Sequence, residues 1–209
     1  LKGAGPCRGS DCQCTCKRFA SGQACGQCVT GYSNLEASNP DGCSKPPGAP
    51  AAPTTGGVTS TSMLLSWSKP LPADYGPLTR FELFRGQTKI YSGSETKFLD
   101  SKLKIGGTFT YFVRAHTSAG PGDISLPTQE STLEKVPTGF DSPTLVSVAS
   151  RDIQLKWSSP SSPNGVIRNY EVFANGELVA RVEGLSYQIQ NLKPFTDYTI
   201  KVSACTTAG

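Results

Sequence analysis

Alternation with a period of two marks three runs of the chain after residue 50. Met63, Leu65 and Trp67 alternate with Leu64 and Ser66. Phe109, Tyr111, Val113 and Ala115 alternate with Thr110, Phe112, Arg114 and His116; later, Tyr198, Ile200, Val202 and Ala204 alternate with Thr199, Lys201 and Ser203. A period of two puts successive side chains on opposite faces of a strand, so each run predicts a strand with one buried face. Turn signals separate the runs: Ala73-Asp74-Tyr75-Gly76-Pro77, Ser162-Pro163-Asn164-Gly165 and Asn175-Gly176. No helical pattern of useful length is present.

The alternating region repeats itself. Ser66-Trp67-Ser68-Lys69-Pro70 returns as Lys156-Trp157-Ser158-Ser159-Pro160, and Phe81-Glu82-Leu83-Phe84 returns as Tyr170-Glu171-Val172-Phe173. Leu103 returns as Leu192, Phe109 as Tyr198, Ala115 as Ala204, and Ser118-Ala119-Gly120 as Thr207-Ala208-Gly209. The offset is 90 at the tryptophan and 89 afterwards, so one turn is a residue shorter. A period near 90 is too long for a solenoid unit and suits a whole small domain. The fold class is therefore all-β: two tandem β-sandwiches of about seven strands each.

Composition changes the picture only at the N-terminus. Seven of the eight cysteines lie within the first 43 residues: Cys7, Cys12, Cys14, Cys16, Cys25, Cys28 and Cys43. A segment this short and this rich in cysteine builds little apolar core and needs cross-links. Zinc is the rival reading, because Cys25-Gly-Gln-Cys28 has knuckle spacing. Against it, the alternate-residue spacing of Cys12, Cys14 and Cys16 is no zinc-ribbon pattern, and Gly22, Gly31 and Gly42 supply turns typical of disulfide knots. Disulfides are expected, with no metal and no cofactor, and with them an oxidising, extracellular compartment. The Pro-rich run from Lys45 to Pro53 favours polyproline II and reads as a spacer. The domains expected are 1–47, 48–136 and 137–209, the last without its final strand.

These residues resemble two known families. The repeat, over about 48–209, resembles the fibronectin type III domain in its strand B tryptophans (Trp67, Trp157), strand C aromatics (Phe81, Tyr170) and the leucines before strand F (Leu103, Leu192). That family has a tyrosine corner; Tyr198 supplies the hydroxyl in the second repeat, but Phe109 has none, so the first repeat is expected to lack that hydrogen bond. Residues 1–47 resemble the C-terminal part of a laminin-type EGF-like module, through Cys14-Thr-Cys16, Ser21-Gly22-Gln-Ala-Cys25-Gly-Gln-Cys28, Gly31-Tyr32 and Gly42-Cys43. The resemblance implies the pairs Cys16–Cys25 and Cys28–Cys43; the reading extends to Cys7 with Cys14 and leaves Cys12 over. Cys205 points outward by strand parity, where a cysteine across the F–G hairpin would reach it.

Candidate chemistry is sparse. The net charge is +4 and the basic residues are scattered, with only Lys17 and Arg18 adjacent, which argues against nucleic acid. Neither an Asn-x-Ser/Thr acceptor nor an Arg-Gly-Asp tripeptide occurs. The single histidine, His116, reads as a solvated side chain on the outer side of strand F, and no nucleophile–base pair or phosphate-binding loop accompanies it, so no enzyme is expected. Alternation places Phe84, Phe112 and Arg114 on one outer sheet face, and aromatics with arginine are enriched in interfaces. They are the candidate partner-binding residues. The resemblance implies matrix or cell-surface partners, collagen-type or a partner ectodomain, for a stalk or a receptor ectodomain.

Overall fold

The computed structural model describes residues 44–71 and 75–209, together with the backbone of four short N-terminal strands. These are β1 (Ala4–Arg8), β2 (Gln13–Cys16), β3 (Ala20–Ser21) and β4 (Gln27–Cys28). β1 and β2 pair antiparallel with Cys7 opposite Cys14, and β3 pairs β4 with Ala20 opposite Cys28. Cys12, Cys25, Cys43 and the side chains of Cys7, Cys14, Cys16 and Cys28 lie outside the described residues, and with them the expected disulfides.

The chain parts into two compact units. The first gathers residues 1–57, 63–100 and 108–130; the second gathers 131–209 with the turns 58–62 and 101–107. In the first, β5 (Thr54–Gly56), β6 (Ser62–Ser66) and β9 (Lys97–Ser101) form one sheet in that order. The other sheet runs β8 (Thr88–Gly93), β7 (Leu78–Arg85), β10 (Thr108–Thr117), β11 (Gly120–Ile124), with β12 (Thr128–Ser131) also on β10. Met63 and Leu65 from one sheet and Leu83, Tyr111, Val113 and Ala115 from the other are fully buried, as period-two patterning requires. Trp67 stands edge-on to Phe81 at 6.1 Å and packs on Tyr91 at 5.8 Å. Burial of Met63, Leu65, Leu83 and Val113 is worth about 1.5–3 kcal/mol each.

In the second unit β13 (Thr144–Val148), β14 (Ile153–Lys156) and β17 (Ser186–Ile189) form one sheet. β16 (Glu177–Val182), β15 (Asn169–Ala174) and β18 (Ile200–Cys205) form the other. Leu155, Trp157, Tyr170, Val172, Ile189 and Ala204 make the core. Asn175 and Gly176, at φ 51° and 87°, form the two-residue turn between β15 and β16. Positive φ at both central residues is what a type I′ hairpin needs and what Asn-Gly tolerates.

The sequence repeat recurs bond for bond. Trp67 N donates to Thr96 O at 3.0 Å, and Trp157 N to Leu185 O at 2.9 Å. Each lead-in segment is fastened at matching points. Lys45 N donates to Tyr75 O and Lys135 N to Asn164 O; Thr117 Oγ1 donates to Lys45 O at 2.7 Å and Thr206 Oγ1 to Lys135 O at 3.0 Å. Beside Lys135, Glu134 accepts bonds from Val166 N and Thr207 N, both at 2.9 Å. Bonds from the Thr207 side chain, then from these backbone groups, hold its carboxyl at about 2.

The tyrosine corner divides the repeats. Lys193 N donates to Tyr198 Oη at 2.9 Å in the second. Phe109 in the first is half-buried, with the Arg85 guanidinium 5.8 Å from its ring centre. There Thr132 ties the 104–107 turn instead: its Oγ1 donates to Lys104 O at 2.7 Å and accepts from Gly107 N at 3.0 Å. Thr132 is 4% exposed. Thr132→Val, which removes the hydroxyl at nearly constant shape, is expected to cost about 1–2 kcal/mol. A urea midpoint equal to that of the wild type would show that the turn holds without it.

Candidate functional site

The outer face of the β8–β7–β10 sheet carries the residues singled out from the sequence. Antiparallel register sets Phe112 directly opposite Phe84 and Arg114 opposite Glu82. Side chains opposite one another share a face, so Phe84, Phe112 and Arg114 come together as alternation predicts. The Arg114 guanidinium carbon lies 5.4 Å from the centre of the Phe84 ring, a cation–π contact. Both phenylalanines are half-buried. The β7–β8 register shifts between Leu83 and Phe84, and the β15–β16 register shifts at the matching Val172 and Phe173. A bulge at this point therefore belongs to both repeats, and Phe84 has a part in the fold as well as on the surface. Opposite Phe173 stands Lys201, so the aromatic pair is particular to the first repeat.

Next to the aromatic pair lies a charge cluster that the sequence reading missed. Glu82 is 4% exposed although it is on the outer face. Arg114 Nη2 donates to its Oε2 at 2.8 Å and Lys89 Nζ to its Oε1 at 3.1 Å. His116 Nε2 is 2.9 Å from Oε2, and Arg80 Nε is 3.9 Å from Oε1. Burial alone raises the Glu82 carboxyl; bonds from Arg114, His116 and Lys89 outweigh it and hold the group at about 2. One carboxylate thus serves several cations, and the cluster has a positive surplus beside two aromatic rings.

His116 corrects an expectation. It does lie on the outer side of β10, but it is not solvated: it is 4% exposed and packed against Glu82. Parity along a strand tells which face a side chain takes, not what covers that face. The signal available was Glu82 itself, an acidic residue at an alternate position on the adjoining strand.

A second polar group spans the two sheets of the first unit. Arg85 Nη1 donates to both oxygens of Asp100, at 2.9 and 3.0 Å, and Tyr111 Oη donates to Asp100 Oδ2 at 2.8 Å. Asp100 is 5% exposed and Tyr111 fully buried. Burial first, then Asp100, pushes the Tyr111 hydroxyl well above its usual range. In the second repeat the same three places hold Ala174, Ile189 and Ile200.

Cys205 ends β18 opposite Asn169, with a free and half-buried thiol. Burial first and Glu171 next push that thiol up. Among the described residues no cluster of three or more His, Cys, Asp or Glu is placed to hold a metal ion.

Known proteins fit this architecture. Residues 137–209 match the family model of the fibronectin type III domain. Over 98% of its length the chain is 31% identical to usherin of Rattus norvegicus, and over 76% it is 32% identical to usherin of Homo sapiens. It spans only 4% and 3% of those proteins. Over 73% of its length it is 29% identical to the netrin receptor DCC of Rattus norvegicus, spanning 12% of it. The chain is thus all-β, carries a fibronectin type III domain at residues 137–209, and is similar along nearly its whole length to a short stretch of usherin.

Proposed function

We propose that this chain is part of an extracellular adhesion or structural stalk that makes protein–protein contacts and performs no catalysis. The observation that carries this reading is the Phe84–Phe112 pair capped by Arg114, an arrangement of the residue types that dominate protein interfaces. Glu82 fixes Arg114, so the guanidinium meets a partner already ordered, which lowers the entropic cost of binding. Similarity to usherin supports matrix or cell-surface partners, a basement-membrane collagen or a partner ectodomain. Laminin-type pairing of Cys16 with Cys25 and Cys28 with Cys43 belongs to the same reading. So does Cys7 with Cys14, which the backbone register sets opposite one another.

Phe112→Glu is the test. It puts a charge in the centre of the aromatic pair, and at a half-exposed position the fold is expected to hold. Binding of the full chain to an immobilised basement-membrane collagen or partner ectodomain, read by surface plasmon resonance, is expected to weaken at least about tenfold. Unchanged binding with an unchanged melting temperature would remove the patch from the function. Similarity to the netrin receptor DCC supports a second reading, the ligand-binding ectodomain of a signalling receptor. A signalling domain in the parent chain would decide for it.

A further inference from the structure

The Glu82 cluster holds more positive charge than the fold needs. Arg80, Lys89 and Arg114 stand 3.9, 3.1 and 2.8 Å from the Glu82 carboxylate. The second repeat keeps that carboxylate as Glu171, which lies opposite Ser203 as Glu82 lies opposite Arg114. The places of Arg80, Lys89 and Arg114 are held there by Asn169, Leu178 and Ser203. Among the described residues, the cation that Glu171 meets is Arg181, at 2.8 Å. One cation therefore serves this carboxylate in one repeat, and three surround it in the other. Like charges gathered on one sheet face repel one another and do not help the isolated domain, so the surplus points to use.

The charges are layered. Glu82 keeps 5% of its side chain in solvent, whereas Arg114, Arg80 and Lys89 keep 33, 45 and 51%. A partner approaching this face therefore meets the cations, with the carboxylate beneath them. Apolar groups stand beside the charges. Phe84 and Phe112 adjoin Arg114, and β11 sets Ile124 opposite Arg114, on the same face and half exposed. The cations gather around one point rather than along a line.

We infer that this face takes an acidic polypeptide segment in which a carboxylate side chain stands next to an aromatic or aliphatic one. The inference rests on the Phe84–Phe112 patch being a contact surface, and it adds the chemistry of the partner. The partner's carboxylate meets Arg80, Lys89 and Arg114, and its apolar neighbour covers Phe112 and Ile124. Charge-assisted hydrogen bonds from arginine and lysine to a carboxylate are the strong ones. Opposite charge speeds the encounter and fixes the register, and the apolar contact slows the release. A sulfated glycan fits less well: it carries anions along a line and offers no apolar side chain to Phe84, Phe112 and Ile124.

Binding of the full chain to an immobilised random copolymer of glutamate and tyrosine tests this, with poly-glutamate and heparin beside it. The wild type is expected to bind the copolymer at least about tenfold more tightly than poly-glutamate, which lacks the apolar side chains. Arg80→Gln with Lys89→Gln is expected to weaken copolymer binding at least about tenfold and to flatten its dependence on salt. Its melting temperature is expected to hold, because half-exposed ion pairs contribute little and Arg114 still bonds Glu82. Lys69→Gln with Lys156→Gln removes the same charge from other exposed positions and is expected to leave copolymer binding as it was. Equal losses in the two double variants, or none in either, overturn the proposal. So does poly-glutamate bound as tightly as the copolymer, or tighter binding to heparin that is lost with Arg80 and Lys89, which would give the face to a sulfated glycan. If copolymer binding ignores Arg80 and Lys89 while Phe112→Glu still weakens binding to collagen or ectodomain, this inference falls and the contact surface stands.

Discussion

Replacing Asp100 by Ile alone is expected to cost the first unit about 3 kcal/mol, whereas replacing Arg85, Asp100 and Tyr111 together by Ala, Ile and Ile is expected to cost less. The single change strands the Arg85 guanidinium and the buried Tyr111 hydroxyl, both of which donate to Asp100. Removing one member of a buried polar group leaves the others desolvated and unpaired, which is worse than removing them all. Arg85 keeps a third of its side chain in solvent, so the loss falls at the low end of the range for buried pairs. The triple change copies what the second repeat does at those places with Ala174, Ile189 and Ile200, of which Ala174 and Ile189 are buried. The apolar set is smaller than the polar one, so some cavity cost remains. Chemical denaturation of the wild type, the single and the triple variant gives the answer; a triple variant less stable than Asp100→Ile would mean that the polar group stabilises the fold outright.

Glu82→Gln is expected to lose about 2 kcal/mol at pH 7. Without its charge, Arg114, Lys89 and Arg80 crowd one another over a neutral amide. Half of the Lys89 side chain is in solvent, which tempers the loss. The same residue sets a pH dependence. Its folded carboxyl, at about 2, lies below the ordinary 4.5. Its contribution is therefore complete above pH 4.5 and is lost as the pH falls through about 2. Glu134 in the second unit, also held at about 2, adds a slope of the same sign in the same window. The difference between wild type and Glu82→Gln isolates Glu82: their stabilities are expected to converge between pH 4.5 and 2. A gap that stays constant across that window would show that Glu82 does not act through its charge.

The sandwich was legible because its information is local. Alternation in 109–115 gave the buried face of β10, where Tyr111, Val113 and Ala115 are fully buried. Asn175-Gly176 gave a turn because few other residues accept positive φ twice in succession. The aromatic pair was legible for the same reason, since facing is fixed by parity. What stayed hidden depends on pairing between distant segments. Asp100 meets Arg85 and Tyr111 across the gap between two sheets. Register, which parity does not supply, brings His116 within reach of Glu82. Thr132 takes over the office of the missing tyrosine through a bond to Lys104, 28 residues away. The absence of a hydroxyl at Phe109 was visible; its replacement was not.

The paired fastenings at Lys45 and Lys135 give each repeat a mechanical character. Tension along the chain reaches Lys135 before it reaches β13, and there it meets the bonds to Asn164 O and from Thr206 Oγ1, reinforced by Glu134. Lys45 meets its own pair before β5. Each repeat thus carries a small shock absorber ahead of its first strand. Held by two or three hydrogen bonds, each lead-in is expected to open at lower force than the sheets behind it, releasing a few residues of slack.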